Sequence, residues 1–517
     1  MGDRAAAEAV SLRRWQESLL IFLFALLLGF AFQGSRGLWE PDEGRNVNIA
    51  LGMLQTSDWM IPRLNGEPYL DKPPLHFWTV AAGMALFGRD EWGARAAQAL
   101  LFALTVLLVG ALGKRLWNNR ETGRLAAVVY ATSLAPFAAA NVVTPDTTLA
   151  ACTVLLVHAY WRAETAATSR ARLGWWLLAG VAAGLGALAK GPAILLFAAP
   201  LGLHLLLRGR LAAVLREPGT WAGAGFSLLI AASWYATMFH RLPGAAAYLL
   251  DNQVVGRLFT KTYGRNPGLW GAAETYAPIL AFGLFPWPLW WLARGRTLLS
   301  GRLRGLRRFR RWSSPAQLLV LWIACPLLVL LAASSRLPLY VLPLFAPAAL
   351  VTARAIAQRR AEQNADHRPR RLAVALLAAW CLALLALKGF AAHWEGGRDT
   401  RRYARWLATE AAGAPPAVVA VKVPLYGLPL YGFTDVRSVV LEGEGYPMFI
   451  PQRTLAAAVP ELATGTPTPF IVVQEEKARY AHALLARAGL TCQIRPPRHR
   501  LALLICQRPP DAAGLQP

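Results

Sequence analysis

The chain has 517 residues, 55% of them hydrophobic and 16% charged, with 54 lysines and arginines against 29 aspartates and glutamates for a net charge of +25. Mean hydropathy is +0.35, and apolar runs of about 18 residues or more recur along the chain, which excludes an ordinary soluble globule. The bases fall in short connections between those runs rather than in one patch. They mark membrane topology, speak against nucleic acid as a partner, and suit anionic lipid headgroups.

Arg13 and Arg14 precede an apolar run from Leu19 to Phe32, with no small-residue cleavage site after it. This reads as an uncleaved first span with the N-terminus in the cytoplasm. The stretch Leu38–Pro74 then lies outside. It carries six acids (Glu40, Asp42, Glu43, Asp58, Glu67, Asp71) beside Arg45, Arg63 and Lys72, and Asn46–Gln55 within it has an amphipathic pattern. Further spans are predicted at 95–113, 125–141, 146–161, 173–189, 191–207, 219–239, 273–293, 316–333, 337–354 and 371–389. With the first they make about 11 (10 to 13), each near the length that crosses ~30 Å of hydrocarbon. The predicted inner connections Lys114–Arg124, Arg162–Arg172, Arg208–Arg216, Arg294–Arg311 and Arg354–Arg371 are rich in arginine. The outer ones are Val143–Pro145, Lys190–Pro192, Arg241–Gly271 and Ser334–Pro338, and the charge bias holds at every crossing.

The texture changes near residue 390. Val418–Val423, Val436–Leu441, Phe470–Gln474 and Leu501–Cys506 read as strands, with helical patterns at Arg401–Glu410 and Lys477–Ala488. The expectation is a membrane domain over 1–390 and a small outer α/β domain over 391–517. Cys152, Cys325 and Cys381 fall within apolar spans; Cys492 and Cys506, outside them, either form a disulfide in an oxidising compartment or remain two strand thiols.

Three acids in the five residues Trp39–Glu43, next to Arg45 and at an interface marked by Trp39 and Trp59, exceed what a helix start needs. Desolvated charge costs several kcal/mol unless it is paired or used, roughly speaking. Asp42 is therefore a candidate general base or orienting carboxylate. Lys72, after Asp71 and Tyr69, either snorkels from the next apolar segment or holds a phosphate as a point charge. Asp146 is either a helix cap or a carboxylate returned to the outer face; Lys190 is either an interfacial anchor or part of the same site. Arg257 and Tyr340 lie in later outer connections. There is no dinucleotide fingerprint, P-loop, zinc-ligand spacing or GxSxG elbow. An activated substrate on the outer face must then arrive attached to a lipid.

WEPDEGR at 39–45, YLDKPP at 69–74, TPD at 144–146, LAKGP at 188–192, the NQ-to-RLF stretch at 252–259 with NPGLW at 266–270 and FPW at 285–287, and SSRLPLYVLP at 334–343 appear in order. This set resembles the landmarks of the lipid A aminoarabinose transferase family, distantly related to protein O-mannosyltransferases. The resemblance implies a mainly α, polytopic GT-C fold, with amphipathic juxtamembrane helices in the first outer loop and a periplasmic C-terminal domain. It implies an inverting glycosyltransferase that moves sugar from polyprenyl (undecaprenyl) phosphate to lipid A or another envelope glycan, at the periplasmic face of a bacterial inner membrane. Asp42, with Glu43 and Asp146, takes the catalytic positions; Lys72, Arg257 and Arg45 are assigned to the donor phosphate; Asp71, Tyr69, Lys190 and Tyr340 are assigned to the cavity. No tightly bound cofactor is expected, a divalent metal is left open, and a monomer is expected. The chain departs from the family pattern at Arg336-Leu337-Pro338, where lysine is usual, and at Leu70-Asp71-Lys72-Pro73. A mannosyltransferase-type protein O-glycosyltransferase is the alternative within the class. A lipid-linked sugar transporter is the alternative outside it, though transporters gather charge at the midplane of repeated halves, and no repeat is visible.

Overall fold

The computed structural model describes residues 2–256, 264–293, 309, 311–362, 371–394, 396–411, 413, 415–443, 448–464 and 469–507. The chain divides into two compact units: residues 1–33, 72–76 and 95–389, and residues 34–71, 77–94 and 390–517.

The first unit is helical. Among the described residues, six helices are long and apolar enough to cross a membrane: Glu91–Trp117, Ser169–Lys190, Pro218–Arg241, Ser314–Ala332, Pro338–Glu362 and Arg371–His393. Shorter apolar helices occupy Trp15–Phe30 and Ala193–Leu207, and a third, Leu75–Phe87, falls mostly in the second unit. Two expected spans are broken. The one at 125–141 divides into Arg120–Thr132 and Leu134–Ala139, with the N–H groups of Leu134 and Ala135 donating to the carbonyls of Phe285 (3.2 Å) and Gly283 (2.8 Å). Pro136 has no N–H to continue the earlier ladder. The span at 273–293 stops at Phe282 and turns through Gly283 and Pro286 before helix resumes at 287. Small residues set the closest helix approach: a Cβ on Gly180 would stand 2.0 Å from the carbonyl oxygen of Gly223. Backbones meet this closely in lipid only where side chains are absent.

In the second unit the stretch Leu38–Pro68 forms the helix Asp42–Thr56 and a hairpin of β1 (Arg63–Leu64) and β2 (Glu67–Pro68). Asn65 and Gly66 carry the hairpin at φ +51° and +86°, the left-handed pair that a two-residue turn requires. The C-terminal segment builds a five-stranded sheet of β3 (Val418–Val421), β4 (Val436–Val439), β5 (Phe470–Gln474), β6 (Thr491–Ile494) and β7 (Leu501–Gln507), in the order β4-β3-β5-β7-β6. The first three strands run parallel and the last two antiparallel. Val418–Val421 are buried on both faces, against Trp406 and Leu407 on one side and Leu455 and Leu485 on the other, as parallel strands covered by helices require. Cys492 and Cys506 sit opposite each other in the β6–β7 register and are joined as a disulfide. The stretch around Glu40 and the segment before the sheet share backbone bonds: Glu40 N–H donates to the Arg398 carbonyl (2.8 Å) and Thr400 N–H to that of Leu38 (2.9 Å).

Candidate functional site

In the helical unit, Pro145 opens the helix Pro145–Glu164 and leaves Asp146 in its first turn; Lys190 ends the helix Ser169–Lys190. Each charge stands at the helix end that favours its sign. The two side chains form an ion pair, each only 9% exposed. The Lys190 ammonium also lies 4.0 Å from the centroid of the Tyr340 ring. Tyr340 is presented by the 3-10 turn Pro338–Leu344. Fully buried His76 lies within electrostatic reach of Lys190, with Nδ1 3.5 Å from the Thr148 hydroxyl. Tyr276 is 1% exposed, within electrostatic reach of Tyr340, Arg336 and Asp146, and its hydroxyl has no hydrogen-bond partner among the described residues. Lys72, half-buried, lies four residues before His76.

Arg336 is 3% exposed and acts as a backbone clamp. Its guanidinium donates to the carbonyls of Asn266 (2.6 Å), Gly268 (2.9 Å) and Leu331 (2.7 Å), and the Asn266 amide donates to the Arg336 carbonyl (3.2 Å). Five donors in a fixed fork are what allow one side chain to satisfy several carbonyls.

In the second unit, Asp42 begins the helix Asp42–Thr56, 53% exposed and paired with Arg45 one turn on. Arg45 sits among Asp42, Tyr69, Tyr426 and Asp71, 5.9 Å from the Tyr69 ring centroid. Glu43 turns the other way: it is buried, paired with Arg36, and accepts the Trp39 N–H (2.9 Å) while Arg36 stacks 4.0 Å over that indole. That is an anchoring arrangement, and it leaves Asp42 as the accessible carboxylate of the pair. Glu40 is 4% exposed; Oε1 accepts from Gly427 N–H (2.7 Å) and Thr400 Oγ1 (2.9 Å), whereas Oε2 has no partner among the described residues. Burial pushes its carboxyl up to about 8, against the pull of Gly427, Thr400 and Arg45.

Of the residues singled out from sequence, Asp146, Lys190 and Tyr340 come together in one unit, and Asp42, Arg45, Tyr69 and Asp71 in the other. Arg257 lies outside the described residues. Sequence reasoning missed His76 and Tyr276, which lie inside apolar segments with nothing local to mark them, and missed the burial of Glu40.

Six helices long and apolar enough to cross a membrane, among the described residues, mark a multi-pass membrane protein. Residues 71–236 match the family described as dolichyl-phosphate-mannose-protein mannosyltransferase. The undecaprenyl phosphate-alpha-4-amino-4-deoxy-L-arabinose arabinosyl transferase of Pectobacterium carotovorum is 33% identical over 350 residues, 65% of this chain and 58% of that protein. Its namesake in Pseudomonas aeruginosa PAO1 is 30% identical over 380 residues, 73% of this chain and 66% of that protein. The chain thus spans 58% and 66% of the length of these two curated relatives. The crystal structure of ArnT from Cupriavidus metallidurans bound to undecaprenyl phosphate superposes with a TM-score of 0.71 at 19% identity, covering 94% of this chain and 97% of that one. The Archaeoglobus fulgidus oligosaccharyltransferase superposes at 0.52 with 13% identity, covering 92% and 73%. The chain belongs to the ArnT-like GT-C family, related to the protein mannosyltransferases.

Proposed function

We propose that this protein is an inverting glycosyltransferase that takes a sugar from a polyprenyl phosphate and passes it to a cell-envelope acceptor such as lipid A. The observation that carries the reading is the buried Asp146–Lys190–Tyr340 cluster in a chain whose fold matches an ArnT crystallised with undecaprenyl phosphate. A desolvated ion pair at the ends of two helices contributes little to stability compared with apolar packing, so its presence favours use.

In this reading about eleven spans hold the chain in a bacterial inner membrane, with the N-terminus cytoplasmic and the C-terminal segment periplasmic. The acceptor oxygen attacks the anomeric carbon from the face opposite the phosphate; the carbon–oxygen bond to phosphate breaks, and the lipid phosphate leaves with the bonding pair. Lys72 and Arg257 stabilise the charge that builds on the departing oxygen, the largest electrostatic contribution in such chemistry. Lys190 and Tyr340 line the cavity, and Asp146 fixes Lys190. Asp42 accepts the proton when the acceptor is a hydroxyl, and orients it when it is an already ionised phosphate. Arg45 holds Asp42 in place.

The match of residues 71–236 to the mannosyltransferase family favours a protein hydroxyl as the second choice of acceptor. The test is transfer in membranes supplied with a polyprenyl-phosphate sugar. Asp42→Asn, inserted and folded at wild-type yield, abolishes transfer by this account; wild-type turnover in that variant would remove Asp42 from the chemistry.

A further inference from the structure

The second unit contains a cavity of about 550 Å³, between the segment Asn48–Glu67 and the β4 edge of the sheet. That volume falls in the range of about 300–1,000 Å³ typical of ligand pockets, and none of the residues assigned above to catalysis or donor binding lines it. Its walls are tied. Asn48 donates to Asn65 Oδ1 (2.8 Å) and the Tyr426 carbonyl (2.9 Å), and the Asn65 amide at the hairpin tip donates to Ser438 Oγ (3.1 Å) on β4.

The floor is apolar, from Leu51, Met53 and Met448 among others, while the rim carries Arg63, Arg437 and Arg453 against Asp58, Glu67, Asp435 and Glu461. Arg437 bonds both Asp435 (3.0 Å) and Glu461 (2.6 Å), and Arg453 bonds the second oxygen of Glu461 (2.9 Å). Three guanidiniums meeting four carboxylates leave no positive excess to hold a nucleic acid or a bare phosphate, and a charged rim repels an acyl chain. Alternating fixed donors and acceptors above an apolar floor suit a neutral polyhydroxylated ring, which stacks its C–H face downward and spends its hydroxyls on the rim.

We propose that this cleft binds the saccharide of the acceptor. The inference rests on the transferase reading for the identity of the ligand. Asn48, in the cleft wall, lies six residues beyond Asp42 on one helix, or about 9 Å along its axis.

The probe is a β-1,6-linked N-acetylglucosamine disaccharide, neutral when unphosphorylated, used unphosphorylated and phosphorylated, added to the full chain in detergent and followed by saturation-transfer NMR. Both forms bind with similar affinity. Glu461→Ala, which removes the carboxylate shared by Arg437 and Arg453 and leaves Arg437 on Asp435 alone, and Thr434→Trp, which fills the cleft from its exposed lip, each weaken binding at least tenfold and raise the acceptor KM, with no change in affinity for a polyprenyl-phosphate sugar. Monodispersity of both variants on gel filtration excludes unfolding. Binding unchanged in both variants, or confined to the phosphorylated form, overturns the proposal. Consumption of lipid-linked sugar without disaccharide binding defeats the cleft and spares the transferase; disaccharide binding without any donor consumption does the reverse.

Discussion

Tyr276 and Glu40 separate use from stability. A buried hydroxyl without a partner costs about 1–3 kcal/mol, so a purely structural position at 276 favours phenylalanine. Tyr276→Phe is expected to unfold at the same temperature as the wild type or a few degrees higher, while turnover falls about tenfold, the worth of one hydrogen bond to the ligand. Thermal unfolding and initial rates on the same preparation check both halves. Glu40, raised from 4.5 to about 8, holds its proton in the folded state where the unfolded chain has released it. Its contribution to stability is complete below about pH 4.5 and is lost as pH rises through about 8, because the folded protein binds more protons across that window. Glu40→Gln keeps the shape without the titration and flattens stability against pH between those limits; an unchanged slope in chemical unfolding would show that Glu40 ionises in place.

At the scale of elements, the clearest prediction concerns Arg336. It joins the turn at Asn266–Gly268 to the end of the helix Ser314–Ala332 by satisfying backbone carbonyls from both. Lysine, usual at this position in the family pattern, supplies a point charge instead of a fork. Arg336→Lys should lower stability by about 2 kcal/mol, since carbonyls in a dry setting lose their donors, and differential scanning calorimetry in detergent would measure it. Which elements were legible follows from local chemistry. Asp146, Lys190 and Tyr340 were readable because prolines and glycines punctuate the helix ends that carry them. The runs at 125–141 and 273–293 look like unbroken spans by hydropathy, and only their cross-bonding through Gly283 and Phe285 reveals the breaks. Strand β6 escaped notice because Thr491–Ile494 is short and mostly exposed, and is paired on one side only; β5, buried along its first four residues, was read to the residue.

For the whole molecule, ordered motifs carried more than composition did. Apolar runs and arginine-rich connections establish a multi-pass chain, but a transporter shares them; the order of WEPDEGR, YLDKPP, TPD and SSRLPLYVLP is what pointed to the family that the comparisons support. Glu43 was grouped with Asp42 because acids one residue apart are indistinguishable in sequence, yet a helix turns successive side chains by about 100°, and Arg36 takes one of them inward. The central claim, that sugar leaves a lipid phosphate on this protein, is tested most directly by following release of polyprenyl phosphate from a polyprenyl-phosphate sugar by purified protein in detergent, where transport cannot be scored. Acceptor-dependent release, inverted at the anomeric carbon and lost in Lys72→Ala, is the expected result. A protein that binds the donor and never cleaves it, with or without acceptor, would contradict the account.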